Sequence, residues 1–287
     1  MFPNKKIVYI FVSIGDENAN ISKEVKKKTF FENVFFRFSR KKKVVEENKT
    51  DIYQILDKLI SSISKYSEKK CYCFYLNKEE THEKFITDIQ KENADRYYVF
   101  PMYPQYNLDL SQIANFFSLS LYDDVLEKFF WIKSYAQHPI FVKAIQKTIK
   151  SVMKKNDLDE KSTFFLFLAK TPITYSPLYY FESEITCQNT VKAFPYVEGI
   201  LHFFSENIHD FKLNEVKKRK NVIIIPISSL TDDYQLRKRL NDFQTYLEEK
   251  KKHVFITKTL NQSSYFIRSI FDIIDEKNFV SNDMLLM

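Results

Sequence analysis

The stretch Tyr97-Tyr98-Val99-Phe100-Pro101-Met102-Tyr103-Pro104-Gln105-Tyr106-Asn107 decides how the rest of the chain reads. Residues 97–100 are apolar, too few for a helix and rich in strand formers. Pro101 has no N–H to give to a sheet ladder, so the strand should end there. Pro101 and Pro104 each fix φ, which presents Tyr103, Gln105 and Tyr106 in nearly one conformation. A rigid loop that carries flat side chains directly after a strand suits a flat ligand.

Strands and helices alternate on both sides of this loop. Before it, a strand is expected at 6–14, a Phe-rich helical pattern at 22–37, a helix at 51–63, a strand at 71–76 and a helix at 79–90. After it come a short helix at 111–120, a strand at 129–135 and a helix opened by His138-Pro139, with Pro at its first position. The second half repeats the plan, with strands at 164–168, 200–204, 222–227 and 254–257 and helices at 184–194, 208–218, 235–249 and 265–275. Such alternation predicts parallel sheets covered by helices. The expected fold class is α/β, with two Rossmann-like units at 1–125 and 126–260 and a closing helix and tail at 261–287. Ligands of such folds lie beyond the carboxyl ends of the strands, which puts 101–107, 169–180 and 228–235 around one crevice between the units.

Composition removes several functions. The 287 residues contain two glycines, whereas a Walker loop, a dinucleotide fingerprint or a nucleophile elbow each needs at least two close together. The net charge of +7 comes mostly from lysine, which fits a solvated surface better than base or phosphate readout, so no specific nucleic-acid partner is expected. Three cysteines, Cys71, Cys73 and Cys187, fit packing in a reducing compartment rather than a disulfide framework or a structural zinc site. The first residues lack the order of a signal peptide, so a soluble, cytoplasmic protein is expected. Contact with a membrane surface and the oligomeric state stay open.

The loop segment Met102-Tyr103-Pro104-Gln105-Tyr106-Asn107 resembles the Leu-Tyr-Pro-Gln-Tyr-Ser signature of ferrochelatases, which insert iron into protoporphyrin. Leu260-Asn261-Gln262-Ser263, just before the last helix, is similar to the family's Leu-Asn-Asp-Ser. The resemblance implies a chelatase-type pair of Rossmann-like units, the first of them shortened, because the family's Ile-Gly-Gly-Ser-Pro and Met-Arg-Tyr segments are missing. It implies ferrous iron and protoporphyrin as substrates, a tetrapyrrole (protoporphyrin or haem) as partner, and a place in haem biosynthesis. It also implies a porphyrin surface built from Pro101, Tyr103, Pro104, Gln105, Tyr106, Tyr175 and Tyr179.

The departures fall on the chemistry. The family's catalytic His, in Ser-Ala-His-Gly, falls on Lys170, and its catalytic Glu, in Asp-His-x-Glu-Thr-Leu, falls on Gln235. A lysine is normally protonated near pH 7 and cannot take a pyrrole proton, and an amide is neither a base nor a good ligand for a hard cation. A later acid of the same helix falls on Arg239, and Ser176-Pro177-Leu178-Tyr179 lacks the acid of the family's Gly-Asp-Pro-Tyr. Asp232, Asp233 and Glu182 are the remaining carboxylates that could meet a metal, with Asp232 also suited to cap a helix. Two functions follow: a ferrochelatase with weak or lost insertion, or a ferrochelatase-derived module that binds a tetrapyrrole or a protein without chemistry.

Overall fold

Two parallel sheets face each other across a shared layer of helices in the computed structural model of the chain, which describes residues 5–15, 52–204, 216, 218–276 and 280–281. The helix expected at 22–37 lies outside the described residues, as does almost all of that expected at 208–218.

The first sheet has the order β2-β1-β3-β4-β9, from β1 (Ile7–Ser13), β2 (Lys70–Tyr75), β3 (Arg96–Pro101), β4 (Phe129–Ile132) and β9 (Val280–Ser281). All its pairings are parallel except that of the two-residue β9. The second has the order β6-β5-β7-β8, from β5 (Thr163–Lys170), β6 (Glu198–Phe204), β7 (Asn221–Pro226) and β8 (His253–Ile256), and is parallel throughout. Central strands such as Ile7–Ser13 and Thr163–Lys170 are apolar on both faces because helices cover both. β4 pairs with β3, so the first unit extends past the expected boundary at 125, and residues 133–135 turn away from the ladder. Sheet membership depends on a partner strand distant in sequence, which local pattern cannot supply.

The helices are α1 (Ile52–Ser67), α2 (His82–Glu92), α3 (Ser111–Ser120), α4 (Asp123–Leu126), α5 (Pro139–Lys155), α6 (Pro177–Val191), α7 (Tyr234–Glu249) and α8 (Ser264–Asp275). Side-chain alternation along the strands sorts them into layers. Phe165, Phe167 and Ala169 face the middle, with Tyr9, Phe11 and Phe100 of the first sheet and Phe266 and Ile270 of α8 in the same cluster. Phe164, Leu166 and Leu168 point outward against Leu236, Leu240 and Phe243 of α7. On the other outer face, Val8, Ile10 and Val12 meet Phe85 and Ile89 of α2 and Phe117 of α3.

α6 begins seven residues before the expected start at 184. Ser176 caps it and Pro177 takes the first position, a start signal that the apolar pattern hides. The buried face of α6 is polar, made of Glu182, Ser183, Thr186 and Thr190 beside Tyr179 and Cys187. Ser183, Thr186 and Thr190 donate to the carbonyls of Tyr179, Glu182 and Thr186 at 2.7–2.9 Å, so their hydroxyls are satisfied within the helix.

Candidate functional site

In each sheet the first connection leads to one side and the second to the other, so the order reverses between β1 and β3 and again between β5 and β7. Such reversals open a crevice at the strand ends. At the first, Ser13 Oγ accepts from the Gly15 N–H at 3.1 Å and lies 3.3 Å from Tyr103 Oη. At the second, the Lys170 N–H donates to Ser228 Oγ at 2.8 Å, which joins the ends of β5 and β7.

The loop after β3 is held from both units. Pro101 closes the strand, and the next N–H, that of Met102, donates to the Val12 carbonyl at 2.9 Å. The Pro101 carbonyl accepts from Tyr135 Oη at 3.2 Å, and that of Pro104 accepts from the Tyr135 N–H at 2.9 Å. Gln105 reaches across the junction, its Nε2 donating to the Ile227 carbonyl at 3.1 Å. Glu182 Oε2 accepts from the Tyr106 N–H at 2.6 Å and from Ser134 Oγ at 2.8 Å. Thr174 Oγ1 donates to Asp109 Oδ1 at 2.6 Å. Tyr135, Ser134, Asp109 and Thr174 were not among the sequence-based candidates; their roles depend on contacts between distant segments.

The residues expected to form a porphyrin surface divide into two groups. Tyr103 and Tyr106 are half-buried and Tyr175 is 72% exposed, with its ring 5.5 Å from that of Tyr180. Pro101, Pro104, Gln105 and Tyr179 are buried. Gln105 is 0% exposed and spends its amide N–H on the junction, so it is a strut between the units and offers no surface. Tyr179 donates its hydroxyl to the Lys170 carbonyl at 2.6 Å and packs against Phe203, so it props the end of β5.

Lys170 ends β5 and Gln235 lies in the first turn of α7, both half-buried. The cap of α7 is Asp233 rather than Asp232; its Oδ1 accepts the Leu236 N–H at 2.9 Å. Burial raises the Asp233 carboxyl above the usual range, while the Leu236 N–H and the Lys170 ammonium oppose that rise. The charge of Lys170 therefore bears on the start of α7. Asp232 accepts the side-chain amides of Asn261 and Gln262 at 3.0 and 2.9 Å, and Ser263 caps α8. The Leu260-Asn261-Gln262-Ser263 stretch thus ties the loop after β7 to the start of α8.

Burial also raises the Glu182 carboxyl, with the Tyr106 N–H and the Ser134 hydroxyl acting against it. Among the described residues, no group of three or more His, Cys, Asp and Glu side chains is arranged to hold a metal ion. Each of Asp232, Asp233 and Glu182 is engaged in a structural hydrogen bond. The three cysteines are free thiols, and Cys71 and Cys73 pack against the middle layer. Among the described residues, no helix is long and apolar enough to cross a membrane.

The ferrochelatase family model matches residues 42–278, most of the chain. The chain belongs to the ferrochelatase family. Ferrochelatases of Francisella tularensis subsp. holarctica and subsp. novicida are each 24% identical to it over 221 residues, which cover 68% of this chain and 64% of theirs. The match therefore spans less than two thirds of the length of those ferrochelatases. Among solved structures, the sirohydrochlorin chelatase SirB from Bacillus subtilis subspecies spizizenii, in complex with cobalt, superimposes with a TM-score of 0.59 at 14% identity. That superposition covers 96% of this chain and 99% of SirB. CbiX, the terminal enzyme of siroheme biosynthesis in denitrifying bacteria, gives 0.53 at 10% identity, over 93% and 99%. This ferrochelatase-family chain thus shares the chelatase fold, with two parallel sheets and their switch points, while departing from its relatives at most positions.

Proposed function

We propose that the chain binds a tetrapyrrole in the crevice at the carboxyl ends of the two sheets, and that it inserts ferrous iron into protoporphyrin weakly or not at all. One observation supports the second half: Lys170 ends β5 and Gln235 lies in the first turn of α7, the positions onto which the resemblance puts the family's imidazole and carboxylate. An ammonium repels a divalent cation, and a carboxamide cannot accept a pyrrole proton. The first half is supported by family membership and by the held loop that carries Tyr103 and Tyr106.

The same cations suit the ligand's own acids. Lys170 at the end of β5, with Lys238 and Arg239 in the early turns of α7, would pair with tetrapyrrole carboxylates, while Tyr103, Tyr106 and Tyr175 would offer ring faces. Protoporphyrin and haem carry two such acids and sirohydrochlorin carries more, so the more acidic macrocycle gains more from this edge.

The test titrates purified protein with protoporphyrin, haem and sirohydrochlorin and follows the Soret band, then adds ferrous iron and follows metalloporphyrin formation. The expected result is a Soret shift without appreciable insertion. No shift with any of the three rejects the tetrapyrrole reading, and turnover at rates ordinary for a chelatase rejects the loss of chemistry.

A further inference from the structure

We infer that Glu182 is a positioning residue, which fastens the Pro104–Tyr106 turn to the second unit and so fixes how Tyr103 and Tyr106 face the crevice. The role rests on the tetrapyrrole reading for its ligand, but the fastening itself is a property of the free protein.

A carboxylate is a costly group to bury, and Glu182 is only 6% exposed on the inner face of α6. A leucine there would satisfy the core as well, so the acid needs a reason in its partners. Two donors, the Tyr106 N–H and the Ser134 hydroxyl, converge on Oε2, at 2.6 and 2.8 Å. Bonds to an ionised acceptor are shorter and roughly twice as strong as neutral ones. The Tyr106 amide lies in a loop, beyond any ladder, so this carboxylate fixes a backbone that the sheet does not.

The second donor extends the same hold. Ser134 follows β4, and its oxygen lies 3.2 Å from the Pro104 carbonyl as well as 2.8 Å from Glu182. One carboxylate oxygen thus joins three segments: the Pro-Gln-Tyr turn, the β4–α5 connection and α6. The bonds from Gln105 to Ile227 and from Thr174 to Asp109 tie the same loop to the second unit on either side of Tyr106. Of the side chains in these three ties, Glu182 alone meets a backbone N–H of the Pro104–Tyr106 turn.

Because both donors meet one oxygen, an amide of the same shape can replace the acid. Glu182→Gln keeps an acceptor at that point, whereas Glu182→Ala removes it. Ile149, in the middle layer on α5, makes none of the hydrogen bonds that hold the loop, and Ile149→Ala serves as a control for general destabilisation. Two readouts are taken on each protein: hydrogen exchange over residues 104–107 without ligand, and the Soret titration with protoporphyrin.

Glu182→Ala is expected to exchange about tenfold faster over 104–107 and to bind protoporphyrin about tenfold more weakly, with Glu182→Gln within about twofold of wild type in both. Ile149→Ala should lower the unfolding midpoint without moving either readout. Unchanged exchange in Glu182→Ala, or equal loss in Glu182→Gln and Ile149→Ala, overturns the fastening. Faster exchange with unchanged affinity overturns its bearing on the ligand. If the wild type binds no tetrapyrrole, the ligand reading and the bearing on it are rejected together, while the exchange arm still decides the fastening.

Discussion

The proposed loss of chemistry rests on Lys170 and Gln235, and placing there the His and Glu that the resemblance implies tests it. Lys170→His with Gln235→Glu is expected to raise the rate of ferrous iron insertion by about a hundredfold over wild type, the low end of what a positioned base contributes. A double variant with no gain in an insertion assay shows that these positions do not meet the metal. At the end of α2, the Glu92 carboxyl is held below the usual range, at about 2, through bonds from Lys70 first and Tyr72 next, with Lys6 also close. Since its folded value is depressed from 4.5, its contribution to stability is present above that value and lost as pH falls through about 2. Denaturation followed against pH should show that decline in wild type and a flatter curve in Glu92→Gln. Added salt should shrink the difference, because the Lys70 side chain is more than half exposed.

Among the elements, the connection after β1 depends on a glycine. Gly15 has φ +86°, and a Cβ there would stand 2.7 Å from the Tyr53 ring of α1. Gly15→Ala should therefore cost about 1–3 kcal/mol by chemical denaturation, from strain and crowding together. A variant as stable as wild type would show that this turn is not left-handed. Element types were largely legible: strands at 97–100 and 222–227 and the helix at 235–249 declared themselves through apolar runs and a stripe of Leu236, Leu240, Phe243 and Leu247. α6 was legible only in its second half, because its inward face carries Glu182, Ser183, Thr186 and Thr190, and periodicity of apolar residues cannot see a polar face buried against polar partners.

At the scale of the molecule, α8 sits in the layer between the sheets and packs on both α1 and α5, so the two units share one core. Ile270 is 0% exposed in that layer. Ile270→Ala should cost about 2–5 kcal/mol and move a single transition rather than split it. The check uses two probes: fluorescence of Trp131, the sole tryptophan, which is buried in the outer core of the first sheet, and far-ultraviolet circular dichroism for both sheets. Coincident transitions are expected in wild type and variant alike; a tryptophan transition that precedes the other would mean that the units unfold separately.

From the amino-acid order alone came the alternation of strand and helix and the resemblance carried by Met102 to Asn107, since each is a matter of residue type and local spacing; that resemblance in turn implies that Lys170 and Gln235 replace two reactive groups. Tertiary structure decided that β4 belongs to the first sheet, that Gln105 and Tyr179 are internal struts, and that Glu182 gathers three segments at one oxygen. Those outcomes rest on partners tens of residues apart, and burial or a hydrogen bond between them exists only once the two sheets have closed on their common layer.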